Sequence, residues 1–246
     1  MNTRIFALIM ENLNESFKLA KYDHVKKSLD KDTRIDFLPW TPARQKKFEA
    51  ILKKELDFKD IDLRGTVKDV VANLDRKYME RFFGQIWKPE TDKYEFSGWA
   101  LVDRINNTNP KKVLDFGCGY NIFKDKINNI IGIDPYNKHA DYMVDILEFA
   151  VEPKSFDHII VFGSLNFGDK SDIEMRFSKL NEILMPGGRM YFRANPGHLW
   201  PTGPYVDIFP WSFEVAYELC QKHNLTLEAF KKDNGDRLYF EVVKNG

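Results

Sequence analysis

The sequence has few cysteines, no excess of either charge and no long apolar run. Its two cysteines, Cys118 and Cys220, stand in unrelated contexts, so neither a disulfide framework nor a metal site is predicted. The apolar run at residues 5–10 is too short for a secretory signal or a membrane-spanning helix. We therefore expect a soluble protein of a reducing compartment, the cytoplasm, without a membrane partner.

The charges balance along the whole chain. Lys and Arg together number 37, as do Asp and Glu, and neither half carries a marked excess. This balance argues against a strongly basic nucleic-acid platform, so nucleic acid is not favoured as a partner, although a local basic patch stays possible. Hydrophobic residues make up 43% of the chain, which is enough for a core and argues against global disorder.

Residues 1–95 are predicted to form a helical extension. Thr41-Pro42 is typical of a helix start, because the hydroxyl can cap the helix and the missing proline N–H does no harm there. Apolar residues then recur at helical spacing in two stripes: Phe48, Ile51, Leu52 and Leu56, followed by Val67, Val70, Val71, Leu74, Tyr78 and Phe82. We interpret this region as a cap that covers a site elsewhere.

Residues 96–246 alternate between strands and helices. Seven short apolar runs predict strands: 113–116, 130–133, 142–144, 158–162, 190–193, 225–230 and 238–243. A helix capped by Ser171, with Glu174 completing a capping box, is expected before the fifth run. This order predicts an α/β, Rossmann-like, mainly parallel seven-stranded sheet. The turn-like residues 233–236 add an antiparallel hairpin at one edge.

A glycine loop follows the first predicted strand. "VLDFGCGYN", residues 113–121, places Gly117 and Gly119 where a ligand can approach the backbone closely. Asp134, at the end of the next strand and 19 residues after Asp115, is positioned to accept both hydroxyls of a ribose. A dinucleotide site is less favoured, because the third glycine of that motif is Ile122 here.

Taken in order, these segments resemble the class I S-adenosylmethionine-dependent methyltransferases. The likeness rests on "VLDFGCGYN", "IIGIDP", "MVDILEF", "SFDHIIVFGSLNF" and "LNEILMPGGRMYF", and it covers residues 96–246. It implies S-adenosylmethionine as the cofactor. The residues that it places around this cofactor are Asp115, Gly117, Gly119, Asn121, Asp134, Asp145, Ile146 and Gly163. Among them, Asp134 would hold the ribose, and Asp145 with Ile146 would border the adenine.

The sequence departs from the family pattern at two points. Asn121 replaces a frequent glycine, but asparagine tolerates positive φ well, so the turn can survive. Between Asp134 and Tyr142 there are too few residues for a crossover helix, and the helix after the glycine loop is expected to be short and to end by about Asn129.

The methyl acceptor is expected beyond the tips of the fourth and fifth strands, in residues 163–169 and 193–207. His198 is the candidate general base, since it is the one histidine of these loops. Candidate acceptor contacts are Asn166, Trp200, Tyr205 and Asp207. Tyr94 is a weaker candidate for a lid over the cofactor. The Asp/Asn-Pro-Pro-aromatic motif of base amino-methyltransferases is absent after the fourth strand, which disfavours that activity.

The sequence thus predicts methyl transfer to an unidentified small molecule or macromolecular side chain. Two alternatives stay open: a non-catalytic module that binds a nucleotide or a partner on the same fold, and an RNA methyltransferase with a local basic surface. Retention of both acids and both glycines favours the enzyme over the non-catalytic module.

Overall fold

The computed structural model describes residues 91–196, 209–234 and 236–246, together with Lys46, Glu80, Phe83, Gly84, Lys88 and Pro89. Contacts divide the chain into two compact units, one holding residues 87–246 and the other residues 4–86. The helices predicted between residues 41 and 84 lie almost wholly outside the described residues. The division at residue 95 and the role of the extension as a cap therefore stay predictions.

A single six-stranded sheet organises the described residues. Its strands are β1 (Val113–Phe116), β2 (Ile130–Ile133), β3 (Phe156–Phe162), β4 (Leu184–Ala194), β5 (Leu225–Asp233) and β6 (Arg237–Lys244). Their order is β2-β1-β3-β4-β6-β5, in which β1 to β4 pair in parallel and β6 is antiparallel to both of its neighbours. The predicted mainly parallel sheet with an antiparallel hairpin at one edge is confirmed.

Of the seven predicted strands, the third, at residues 142–144, is wrong. Within the described residues this segment makes only one parallel bridge, between Tyr142 and Ile133 at the end of β2. Tyr142 and Met143 are 53% and 59% exposed, so no burial holds them in a regular strand. The segment follows β2 after a few turn residues, which is too short a connection for a full parallel crossover.

Within residues 91–196 and 209–234, three α-helices accompany the sheet: α1 (Val102–Asn106), α2 (Lys170–Ile183) and α3 (Phe213–Lys222). Short 3-10 helices at Thr91–Lys93 and Gly98–Leu101 precede α1. The short helix expected after the glycine loop is wrong, because residues 119–128 form successive turns.

The predicted cap of α2 is also wrong. Asp169, not Ser171, caps the helix: its carboxylate accepts from the Asp172 backbone N–H at 2.9 Å, and the Asp172 carboxylate accepts from the Asp169 N–H. Asp169 has the extended backbone that a cap requires. Glu174 pairs instead with Lys222 of α3. The buried stripe predicted for this helix, Ile173, Phe177, Leu180 and Leu184, is buried as expected, although Leu184 begins β4.

The two faces of the sheet carry separate cores. Strand residues such as Leu114 and Phe192 pack with α2 and α3, whereas their neighbours Val113 and Tyr191 face α1 and the turns after β1. Side chains alternate between faces along a strand, which produces this division. Because parallel strands end at one edge, the loops after β1 to β4 meet there.

No helix in residues 91–196, 209–234 and 236–246 is both long and apolar enough to cross a bilayer. The same residues contain no group of three or more His, Cys, Asp or Glu side chains placed to hold a metal ion.

Candidate functional site

The glycine turn after β1 is tightly bound to its neighbours. The N–H groups of Gly117 and Cys118 donate to the Ile133 carbonyl at 2.8 and 3.0 Å, which ties the turn to the end of β2. Gly117 has φ +74°, and a Cβ on it would lie 2.4 Å from the Ser164 Cβ. The turn therefore needs glycine for both its conformation and its contact with the loop after β3.

Asp134 lies at the tip of β2, as predicted, and anchors the turn. Its Oδ2 accepts from the Gly119 N–H at 3.0 Å, and its Oδ1 accepts from the N–H groups of Tyr136 and Asn137 at 2.7 and 2.9 Å. A carboxylate offers about four acceptor positions. Three are used, so this geometry leaves room for about one more donor rather than for two hydroxyls. Burial raises the pKa of Asp134, and these backbone donors oppose the rise.

Asp115, at the end of the central strand β1, is a buried acid without a donor. Only 4% of the residue is exposed, and no described residue donates a hydrogen bond to its carboxylate. Burial and then the negative charge of Asp134 raise the pKa of Asp115 to about 7. The two acids therefore create a negative potential beside the glycine turn that a cation would relieve.

Asn121 occupies the left-handed region with φ +54°, which confirms the turn predicted for it. Its Nδ2 donates to the His139 carbonyl at 3.1 Å, and its side chain packs where a Cβ on Gly132 would lie. Asp141, a further neighbour, accepts from the Gly132 N–H at 2.8 Å and pairs with Lys124. The Asn121 side chain thus fixes the connection that stands where a crossover helix would be. Its contact with a cofactor stays a prediction.

We expect Asn121→Gly to preserve the turn and Asn121→Val to lose it. Both variants lose the amide contacts, but glycine adopts positive φ freely, whereas a β-branched residue there adds backbone strain of about 1–2 kcal/mol. Urea unfolding and cofactor titration of both variants measure the difference. Equal stability and equal binding of the valine variant would show that the left-handed turn is not required.

Asp145 and Ile146, predicted at the adenine, follow the Tyr142 bridge. The Asp145 Oδ2 accepts from Arg176 of α2, with the Nε atom at 3.3 Å, and its Oδ1 accepts from the Leu147 N–H at 3.0 Å. The Ile146 side chain is fully buried in the larger core. Both residues are held firmly. The Asp145 Oδ2 accepts from both Nε and Nη2 of Arg176 at 3.3 Å, so only Oδ1 keeps capacity for a further donor. Their role at the adenine stays a prediction.

Gly163 and Asn166 join the tips of β3 and β4. The Gly163 N–H donates to the Arg193 carbonyl at 2.9 Å, and the Asn166 Oδ1 accepts from the Asn195 N–H, also at 2.9 Å. The Asn166 carbonyl accepts from the Phe209 N–H. Asn166 therefore has a clear structural task, and its predicted contact with an acceptor stays a prediction.

Four further predicted residues lie outside the described residues: His198, Trp200, Tyr205 and Asp207. The structure instead draws attention to Ser164 and Asn195, which sequence reasoning did not select. Ser164 directly follows a glycine, and Asn195 belongs to an asparagine-proline pair. Neither pattern by itself distinguishes a binding residue from a turn residue.

Asp233 holds the segment before α1 against the sheet. Its side chain is fully buried, accepts from the N–H groups of Glu95 and Phe96 at 2.8 and 3.2 Å, and also accepts from the Ser97 hydroxyl. Arg193 of β4 pairs with Asp233 at 3.3 Å, and its guanidinium lies 3.7 Å from the centre of the Tyr94 ring. This contact fixes Tyr94, the lid candidate, beside β4. The Arg193 carbonyl of the same strand accepts from the Gly163 N–H.

Asp233→Asn is expected to destabilise the protein by about 2–4 kcal/mol at pH 7, because an amide cannot replace both charged acceptor oxygens. Burial by itself would raise the pKa of Asp233, but the hydrogen bonds from Ser97, Glu95 and Phe96 outweigh it and lower the pKa. Because the pKa of Asp233 is lower in the folded protein, its carboxylate stabilises the fold above the unfolded pKa near 4. This contribution is lost as the pH falls below that value, so the stability difference between the wild type and the variant should shrink in acid.

Urea unfolding at pH 7 and near pH 3 measures this, and Asp236→Asn is a matched control from the same turn, since Asp236 is exposed. If Asp233→Asn and Asp236→Asn behave alike, the buried carboxylate does not hold the segment.

No protein-family model matches the sequence, and no curated protein matches it. Solved structures do match. The N-methyltransferase NodS from Bradyrhizobium japonicum WM9, in complex with S-adenosyl-L-homocysteine, is 16% identical with a TM-score of 0.50, over 70% of this chain and 99% of NodS. The chain has the class I S-adenosylmethionine-dependent methyltransferase fold.

Two further structures of this methyltransferase fold match at lower TM-scores. The 1,6-didemethyltoxoflavin-N1-methyltransferase from Burkholderia thailandensis is 14% identical with a TM-score of 0.49, over 85% of this chain and 94% of that one. An S-adenosylmethionine-dependent methyltransferase from Mesorhizobium loti is 14% identical with a TM-score of 0.46, over 61% of this chain and 100% of that one. At these identities the methyltransferase likeness concerns the fold alone.

Proposed function

We propose that this chain is an S-adenosylmethionine-dependent methyltransferase. The observation that carries the proposal is Asp115, a buried carboxylate without a donor beside a second buried acid, Asp134, at the glycine turn. S-adenosylmethionine has a sulfonium and an ammonium group, so its positive charge matches this potential. NodS, which shares the fold, was solved with the demethylated product of this cofactor.

The residues present fit that cofactor. Gly117 and Gly119 allow the backbone to approach the methionine part, and Asp115 provides the opposite charge. Asp134 would accept one ribose hydroxyl at its remaining position, and the Asp145 Oδ1 would accept from the adenine amine. Gly117 has no Cβ, which keeps the turn clear of Ser164.

The bound cofactor supplies an electrophilic methyl group on sulfur. The chain itself must hold an acceptor in line with that group and keep water away. The acceptor is expected beyond the tips of the neighbouring strands β3 and β4, where Ser164, Asn166 and Asn195 follow in sequence. A proton acceptor is required only if the acceptor atom carries a proton that must leave, and His198 is the candidate for this task. The alternatives, a non-catalytic module and an RNA methyltransferase, gain no support from the described residues.

The test of the proposal is cofactor binding and methyl transfer. The protein should bind S-adenosylmethionine and S-adenosylhomocysteine in calorimetry, and Asp134→Ala should cost about 1.5–3 kcal/mol of affinity through lost charge-assisted hydrogen bonds. Transfer of labelled methyl groups to fractions of a cell extract then measures activity. Binding without transfer to any fraction would favour the non-catalytic module, and no binding at all would refute the proposal.

A further inference from the structure

Two polar side chains at the carboxyl edge of the sheet have no hydrogen-bond partner in the described structure. The Asn195 residue is only 4% exposed, and its Oδ1 is buried without a donor. The Ser164 Oγ is likewise buried without a partner. An unpaired buried polar group costs about 1–3 kcal/mol, so two of them at one edge call for an explanation.

The fold places both groups at the proposed acceptor site. Ser164 follows β3 and contacts the glycine turn, since its Cβ lies 2.4 Å from where a Gly117 Cβ would be. Asn195 follows β4, the neighbour of β3, and its backbone is fixed at both ends: its N–H donates to Asn166, and its carbonyl accepts from the Trp211 N–H at 3.2 Å. The carboxamide therefore stands on a rigid support at the tip of β4.

The unpaired oxygen of Asn121 differs from that of Asn195, whereas the Ser164 Oγ lies at an intermediate 3.3 Å from where a Gly117 Cβ would be. The Asn121 Oδ1 lies 2.4 Å from where a Cβ on Gly132 would be, so it is enclosed by the chain itself, and the Nδ2 of the same side chain is bonded. The Asn195 Oδ1, in contrast, has no donor among the described residues. This acceptor position therefore remains available to a ligand.

We propose that Asn195 and Ser164 form a subsite for a methyl acceptor that is neutral and presents a carbonyl oxygen beside an N–H group, as in a carboxamide, a lactam or an N-heterocycle. This assignment rests on the proposed methyl transfer. A carboxamide carries one donor group and one acceptor group side by side, which matches such an edge whichever way the amide is turned. The Ser164 hydroxyl can donate or accept as the second contact.

Charge at this edge disfavours an anionic acceptor. The Arg193 guanidinium is paired with Asp233 and stacked on Tyr94. Asp115 and Asp134, the buried acids of the glycine turn, repel anions. A phosphate or carboxylate would therefore meet no free cation among these residues, whereas a neutral lactam edge would satisfy both orphaned groups.

The experiment uses the full chain saturated with S-adenosylhomocysteine and follows the side-chain amide resonance of Asn195 by NMR. The probes are 2-pyrrolidone, N-methyl-2-pyrrolidone (which lacks the N–H), acetate and inorganic phosphate. We expect 2-pyrrolidone alone to shift the resonance at millimolar concentration. Asn195→Ala should weaken 2-pyrrolidone binding, followed by backbone resonances near Ser164, by about three- to tenfold, the value of one hydrogen bond.

Asn181→Ala is the matched control, because the Asn181 Oδ1 is also buried without a donor but belongs to α2. It should leave probe binding unchanged. Equal shifts with the N-methylated probe, larger shifts with an anion, or no shift at all would overturn the subsite. Calorimetric binding of S-adenosylhomocysteine to the same samples separates these outcomes from a failure of the proposed function, which would abolish that binding too.

Discussion

Gly117→Ala is expected to abolish measurable binding of S-adenosylhomocysteine and to destabilise the protein by about 2–4 kcal/mol. Two effects add. Alanine at φ +74° is strained, and its Cβ would lie 2.4 Å from that of Ser164, a distance that real Cβ atoms essentially never show. To relieve this steric overlap, the glycine turn or the loop after β3 must move, and both contribute to the proposed site. Calorimetry and urea unfolding measure the two losses.

Gly187→Ala is the matched control for this variant. Gly187 has φ +76°, close to that of Gly117, but a Cβ there would meet no atom within 4 Å. It should show only the backbone strain, about 1–2 kcal/mol, with binding intact. Combining Gly117→Ala with Ser164→Gly should recover stability by removing the collision while the strain remains. Equal losses for the alanine variants at 117 and 187 would show that the contact with Ser164 has no energetic importance.

The parallel core of the sheet could be predicted because each strand is a short apolar run bounded by turns. β1 and β3 are buried on both faces, so their sequences are continuously apolar apart from Asp115 and the residues at 157 and 158. The segment at residues 142–144 is also a short apolar run, but it lies at the edge of the sheet beside β2. Its side chains are exposed there, so pairing as a strand would bury little apolar surface. The apolar pattern alone does not distinguish a buried strand from an exposed segment at the edge of the sheet.

The candidate site could be predicted where it depends on local backbone chemistry. The glycines and Asn121 adopt the positive φ that their residue types suggest. Contacts between distant segments could not be predicted. Asp233 accepts hydrogen bonds from residues 136–138 positions away, and in the sequence it is only the first residue of a turn. Likewise, the unpaired state of Asn195 depends on which neighbours the fold brings to it.

Asp115→Asn is expected to stabilise the ligand-free protein at pH 8 while weakening cofactor binding. Burial and the charge of Asp134 raise the Asp115 pKa from an ordinary 3.8 to about 7. Between these values the folded state binds a proton that the unfolded state has released, so wild-type stability falls as pH rises through this range. Each pKa unit corresponds to about 1.36 kcal/mol. Allowing for relaxation of the site, we expect the Asp115→Asn variant to be about 2–4 kcal/mol more stable than the wild type at pH 8.

The pH dependence distinguishes this explanation from a simple packing effect. Near pH 4 and below, Asp115 is neutral in the folded protein, so the wild type and the Asp115→Asn variant should give nearly equal free energies of urea unfolding. The amide of the variant would also offer the cationic cofactor no negative charge, so S-adenosylmethionine should lose more affinity than S-adenosylhomocysteine, whose sulfur is neutral. A constant stability difference from pH 4 to pH 8, or equal losses for the two ligands, would mean that the charge of Asp115 is not what the site uses.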